Sequence, residues 1–155
     1  MNKLTIAIAA AAVVCAFPAT AADTNIDVRA NIKATCVIDQ VTSIDFGDLN
    51  QGTTAPDRTA PGSVRYWCTK GATYTVATGN GNNASGTQRR MKGVATTNST
   101  EFLPYTLTSD APASGTGAGA AAPATVTFTA GVKGTDYNVL SVGQLKDTVV
   151  VTIAP

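Results

Sequence analysis

The stretch "SVRYWCTKGATYTVATGNGNN", residues 63–83, decides the fold class. Val64, Tyr66 and Cys68 fall on alternate positions, and Tyr74 and Val76 do so again after Thr69-Lys70-Gly71. Strand side chains point alternately to opposite faces, so this spacing gathers the apolar residues of each run on one dry face. Gly79 and Gly81, with Asn80, Asn82 and Asn83, end the second run in turn residues. The pattern repeats outward in both directions. Upstream, Ile44 and Phe46 end a first segment in "SIDFGDLNQG". Downstream, Leu103, Tyr105 and Leu107 alternate in "EFLPYTLTSD", and Val126, Phe128 and Ala130 alternate with threonines in "ATVTFTAGV". Val149, Val151 and Ile153 close the chain in "KDTVVVTIAP". No segment has a convincing helical period. The Gly/Ala-rich stretch "SDAPASGTGAGAAAPA" reads as a mobile loop. Short alternating strands separated by turns predict an all-β sandwich, with the inward side chains of two sheets forming the core. About six strands follow from Cys36 onward, against the seven or so of an immunoglobulin-like sandwich.

The N-terminus belongs to a different category. Met1-Asn2-Lys3 is a short positive start, Leu4 to Phe17 is an apolar run, and Pro18-Ala19-Thr20-Ala21 ends in a small-x-small pattern. This is a signal peptide, residues 1–21, with cleavage expected after Ala21. The apolar run is shorter than the roughly 20 residues of a transmembrane helix. Cys15 follows Val14, where a lipid-attachment site needs a small residue. The mature chain is therefore expected to be exported, with no transmembrane segment and no lipid anchor. Directly after the leader comes "TNIDVRANIKATC", residues 24–36, with Ile26, Val28, Ala30, Ile32 and Ala34 alternating with polar residues.

Composition excludes several function classes. Lys and Arg number 11 against 10 Asp and Glu, and one of the lysines lies in the leader. Near-neutral charge without a basic run argues against nucleic-acid binding. The one basic cluster, Arg89-Arg90-Met91-Lys92, reads as a solvated turn or an edge-strand guard. The chain contains no histidine, which removes Ser-His-Asp and Cys-His catalysis. Asp45-Phe46-Gly47 matches a kinase triplet in isolation, without the other kinase motifs. Asp45 and Asp48 read as a turn after the strand rather than a catalytic carboxylate pair. "GNGNN" lacks the lysine and following helix of a phosphate loop. No cofactor or metal site is expected. Two cysteines survive cleavage, Cys36 and Cys68, and in an exported chain such a pair predicts a disulfide. Its stabilisation on the chain-entropy model is about 3–4 kcal/mol.

The motifs "SIDFGDL", "PGSVRYWCTKGATYTV", "RRM", "LPYTLTSD" and "KDTVVVTI", in that order, carry a resemblance. Together with the leader and the paired cysteines, they resemble the spore coat U domain family. That is the pilin domain of the archaic, Csu-type chaperone–usher pili. The chain departs from the family pattern at Thr108 and Ala154-Pro155, where family members often carry an aromatic. The resemblance implies an incomplete immunoglobulin-like sandwich whose missing strand is supplied by another molecule. In the periplasm a chaperone would lend that strand. At an outer-membrane usher, the N-terminal segment of the next subunit would replace it, giving a head-to-tail polymer on the cell surface that serves adhesion or biofilm formation. The donor would be Thr24 to Lys33, inserting Ile26, Val28, Ala30 and Ile32. The acceptor groove would be lined by Val149, Val151 and Ile153. Residues 22–35 would then be the donor and a two-residue linker, Ala34-Thr35, and residues 36–155 the pilin domain. The alternative reading is a self-complete secreted sandwich that binds surface carbohydrate or serves as a coat or matrix protein.

Overall fold

A computed structural model of the chain describes residues 20–155. All but the last two residues of the expected leader lie outside the described residues. Two units are distinguished, with the boundary between Asn31 and Ile32. The described part of the first, residues 20–31, has neither helix nor strand, and all of it is exposed.

The second unit is built from nine strands and one helical turn. In chain order they are β1 (Cys36–Thr42), β2 (Arg58–Cys68), β3 (Thr73–Thr78), β4 (Arg89–Gly93), β5 (Phe102–Ser109), β6 (Ser114–Thr116), β7 (Ala124–Val132), α1 (Gly134–Tyr137), β8 (Leu145–Lys146) and β9 (Val151–Ala154). Six strands form one sheet in the order β1-β2-β7-β5-β4-β8, and three form a second in the order β6-β3-β9. Every ladder is antiparallel. The fold is all-β, an incomplete immunoglobulin-like sandwich.

The dry faces fall where the period of two places them. Val64, Tyr66 and Cys68 on β2 are buried, as are Val126, Phe128 and Ala130 on β7. The register sets Val64 opposite Val126 and Gly62 opposite Phe128, so the two strands contribute one continuous apolar surface. Thr125, Thr127 and Thr129 face solvent. Two clusters make up the core. One contains Val64, Tyr66, Cys68, Tyr74, Val126 and Phe128; the other contains Leu103, Tyr105, Ala130, Val132 and Tyr137.

Several expectations are corrected. The Gly/Ala-rich stretch contributes β6, whose register sets Gly115 opposite Tyr74. A Cβ on Gly115 would meet the Tyr74 hydroxyl at 2.5 Å, so the glycine lets this short strand close over the ring. One helical turn, α1, follows β7, and Gly134 lies so close to the Ala55 carbonyl that a Cβ would collide with it. The basic cluster is not a turn but a strand, and Arg89 to Met91 have a ladder on one side only. It forms β4, paired with β5 along Arg89 to Lys92 and with β8 at Lys92 and Gly93. Arg90 stacks 4.2 Å over the Phe102 ring and donates to the Asn83 carbonyl, and Arg89 donates to the Gly79 carbonyl. Ile44 and Phe46 lie beyond the end of β1 yet pack on the core. Asp45 does make the expected turn, accepting the Gly47 N–H at 2.8 Å.

Cys36 and Cys68 are joined by a disulfide, directly opposite one another in the β1–β2 ladder. It ties the first residue of β1 to the last residue of β2, and the Cys68 end is fully buried. Cys36→Ser or Cys68→Ser should lower unfolding stability by about 2–5 kcal/mol. The check is thermal or denaturant melting followed by circular dichroism, with periplasmic yield falling in parallel; a full-stability variant would contradict a structural role.

Candidate functional site

The two sheets end in edges that have no partner among the described residues. In the six-stranded sheet, β1 is terminal and pairs only with β2. In the three-stranded sheet, β9 is terminal and pairs only with β3. No ladder joins β1 to β9, although the two strands lie beside each other. Each edge carries a row of backbone N–H and C=O groups without strand partners.

Below these edges the core is unfinished. Val151 and Ile153 on β9 pack against the first cluster, together with Cys36, and remain only half-buried. Val149 packs against the second cluster, with Ile44, Phe46, Leu49, Leu140 and Leu145, and is likewise half-buried. The structure therefore aligns all three predicted groove residues along one run. It places Val149 just before β9 rather than in it. The clusters also give direction. The start of β1 lies with the end of β9, and the segment after β1 lies with the segment before β9.

Sequence reasoning missed the opposite wall. β1 exposes Val37, Ile38 and Val41 at 38%, 45% and 62%, an unusual load for a free strand edge. A bulge between Ile38 and Gln40 breaks the alternation, so these residues show no clean period of two. Beyond β1, residues Ile44 to Gln51 form one side of a cleft of about 890 Å³. Met91, Tyr137 and residues Leu140 to Leu145 form the rest. The available signal was the apolar spacing of Val37, Ile38, Val41, Ile44, Phe46 and Leu49 along one segment.

The first core cluster is centred on an aromatic pair. Tyr66 and Tyr74 meet edge to face, with ring centroids 5.4 Å apart and hydroxyls 3.0 Å apart. Burial, then the hydrogen bond with Tyr74, pushes the Tyr66 phenol up to about 12. Tyr105 is also pushed up by burial and by its 2.7 Å hydrogen bond to the Asp147 carboxylate.

The predicted donor residues are exposed, and Ile32 falls in the second unit while Ile26, Val28 and Ala30 fall in the first. Ile26, Val28 and Ile32 are 84%, 93% and 84% exposed, and Ala30 is exposed too. Asp27 and Arg29, on the polar face of the alternation, form an exposed ion pair at 2.6 Å. The expected linker is shorter than two free residues. Thr35 donates its N–H to Thr69 Oγ1 at 3.1 Å, and Thr69 donates its N–H to the Thr35 carbonyl at 2.9 Å. Thr35 therefore belongs to the domain.

The Spore Coat Protein U domain matches residues 22–152. The chain belongs to that family. The resemblance drawn from the residues is thereby confirmed over residues 22–152. No curated protein matches it. Among solved structures it is similar to the CsuC–CsuE chaperone–tip adhesion subunit pre-assembly complex of the archaic chaperone–usher Csu pili of Acinetobacter baumannii. That likeness has a TM-score of 0.47 and 21% identity, covering 79% of this chain and 40% of that one. A chaperone–tip adhesin complex of CFA/I fimbriae biogenesis is similar with a TM-score of 0.41 and 20% identity, covering 76% of this chain and 42% of that one. This spore coat U chain thus spans less than half the length of either. Its membership rests on the domain match.

The raised Tyr66 phenol gives a pH dependence whose sign is fixed. Its folded value lies above the unfolded value of 10.0, so the folded state holds a proton that the unfolded state releases. The associated stability is complete below pH 10 and is lost as pH rises toward about 12. Melting curves recorded through that window should show falling stability in the wild type and a shallower fall in Tyr66→Phe. Equal slopes would contradict the assignment.

Proposed function

We propose that this spore coat U chain is a structural pilus subunit, not a catalyst. In this reading it is exported through the periplasm and polymerised on the cell surface by donor-strand exchange. The observation that carries the proposal is the pair of unpartnered edges, β1 and β9, above half-buried Val151 and Ile153. An extended segment added between them would satisfy backbone groups on both sides and cover the open core. The chain carries a segment of the right character in Thr24 to Lys33. Burying Ile26, Val28 and Ile32 fully is worth roughly 5–9 kcal/mol. That is comparable to the roughly 4–15 kcal/mol cost of association, so side-chain burial alone gives modest affinity. Persistence then depends on the strand hydrogen bonds and on completion of the core.

The same groove supplies the chemistry of the other proposed partners. A periplasmic chaperone holds the subunit by lending an alternating apolar strand, and an outer-membrane usher is where one donor replaces another. Each donor fills a groove on a different copy, so the contact is head-to-tail and does not close, and a filament results. The acceptor residues in this reading are Val149, Val151 and Ile153, with Val37, Ile38 and Val41 on the facing edge.

Two experiments separate this reading from a self-complete secreted module. Deleting residues 22–33 should leave a subunit that binds chaperone but adds to no subunit ahead of it; fibre growth by the truncated chain would contradict the donor assignment. Ile26→Asp or Ile32→Asp should abolish polymer seen by electron microscopy, whereas Asn31→Ser should assemble normally. Equal effects at the two faces would remove the basis for a one-sided donor.

A further inference from the structure

We infer, on the pilin reading, that the chain carries a device that keeps its donor out of its own groove. The device has two parts, the Thr69 clamp on residues 33–35 and the one-residue register of the donor against β1.

Completion by the same chain is the natural competitor of completion by another copy. Residues 24–33 lead directly into β1, whose free edge borders the groove. A reversal just before Cys36 would lay them along β1 as an antiparallel hairpin. Tethering would give that event an effective concentration that a second copy rarely matches. A chain closed in this way would offer neither a free groove nor a free donor.

Register decides which face such a hairpin buries. Cys36, Ile38 and Val41 stand opposite Cys68, Tyr66 and Val64 on β2, and those three are buried. Directly opposed residues share a face, so Cys36, Ile38 and Val41 mark the core side of β1. The bulge between Ile38 and Gln40 leaves the alternation of the paired strand intact, since β2 keeps its period of two across it. A filler on the free edge must therefore set residues from among Ile26, Val28, Ala30 and Ile32 opposite Cys36 and Ile38.

Two-residue turns, the commonest hairpin connections, fail to do so. A turn at Lys33-Ala34 sets Asn31 opposite Cys36 and Arg29 opposite Ile38. A turn at Ile32-Lys33 sets Arg29 and Asp27 there, and one at Ala34-Thr35 sets Lys33 and Asn31. Every loop of even length buries the polar face, because a slip of one residue exchanges the two faces. Unpaired charges would then enter the core.

Loops of odd length bury the apolar face, and these are what the clamp obstructs. The Thr69 hydroxyl accepts the Thr35 N–H at 3.1 Å and shares its proton between the Lys33 and Thr35 carbonyls at 3.2 and 3.3 Å. The Thr69 N–H donates to the Thr35 carbonyl at 2.9 Å. These bonds prolong the β1–β2 pairing past Cys36 and Cys68 and hold residues 33–35 out of a turn. A three-residue loop also ends in a left-handed residue, normally glycine. Here it would end at Lys33, Ala34 or Thr35, and no glycine occurs between Ala22 and Phe46. Thr35 is β-branched and among the residues least able to adopt that conformation.

The test shifts the register by one residue while keeping the turn chemistry constant. One variant is Ala34→Asn with a single glycine inserted after it; the other is Lys33→Asn/Ala34→Gly with no insertion. Both carry an Asn-Gly hairpin turn. The insertion sets Ile32 opposite Cys36 and Ala30 opposite Ile38, whereas the double substitution sets Asn31 and Arg29 there. Each chain from Ala22 onward is refolded without chaperone, and trypsin cleavage after Arg29 in the monomer is timed by mass spectrometry. The insertion should slow that cleavage about tenfold or more relative to the double substitution, because a strand within a sheet is cut only when it opens. Expressed with chaperone and usher, the inserted chain should form no fibres and the doubly substituted chain should form them. Equal cleavage and equal fibre growth in the two variants would overturn the device while leaving donor exchange standing. A wild-type chain that forms no fibres would overturn the pilin reading and the device with it. Thr69→Val tests the clamp without altering the turn: the protease-protected monomer should increase about fivefold, the factor expected for loss of one hydrogen bond. An unchanged protected fraction would overturn the clamp's part in the device.

Discussion

Everything in this molecule turns on backbone hydrogen bonds that two strand edges cannot make for themselves. β1 and β9 each pair on one side only, and the residues beneath them, Val149, Val151 and Ile153, stay half-buried. A sandwich that left such edges open in a monomer would expose both polar backbone and apolar core, a combination that invites pairing with another chain. The exposed Val37, Ile38 and Val41 raise that pressure, since β1 carries no proline and a single charge, Asp39, which is paired with Arg65 on β2. An added strand resolves both deficits at once.

The remaining structure braces this opening. β2 and β7 form the longest ladder and carry the buried face against which the groove floor is built. The Cys36–Cys68 bond fixes the start of β1 to the end of β2, and Thr69, the next residue, fixes the chain just before β1. A pull on residues 24–33 therefore enters the fold through a covalent tie and a set of short hydrogen bonds rather than through a slack linker. At the other end, the loop of residues 138–144, held by Gln51, Thr97 and Glu101, keeps the cleft walls in place.

The parts legible in the sequence are those in which a single face is buried. Val64, Tyr66 and Cys68, and likewise Val126, Phe128 and Ala130, alternate because one side packs on the core and the other meets water. The illegible parts have other reasons for forming strands. β4, with sequence RRMKG, carries no apolar alternation, and its arginines are accommodated by Phe102 and by backbone carbonyls brought from distant loops. β6 consists of small residues and exists because Gly115 fits beneath Tyr74. Of the candidate site, the C-terminal wall could be read from Val149, Val151 and Ile153. The β1 wall was hidden by a bulge that shifts the period. The clamp at Thr69 was hidden because a lone threonine after a strand carries no signal of its own.

The central claim is that residues 24–33 complete the sandwich of another copy by strand addition. The most direct measurement refolds the chain lacking residues 22–33 with and without a synthetic peptide of residues 22–35. Added peptide should give a cooperative unfolding transition whose midpoint rises with peptide concentration, since a ligand that binds only the folded state stabilises it by mass action. The same peptide with Ile26, Val28 and Ile32 changed to Asp should have no effect. A truncated chain that is equally stable alone, or that responds equally to both peptides, would contradict the account.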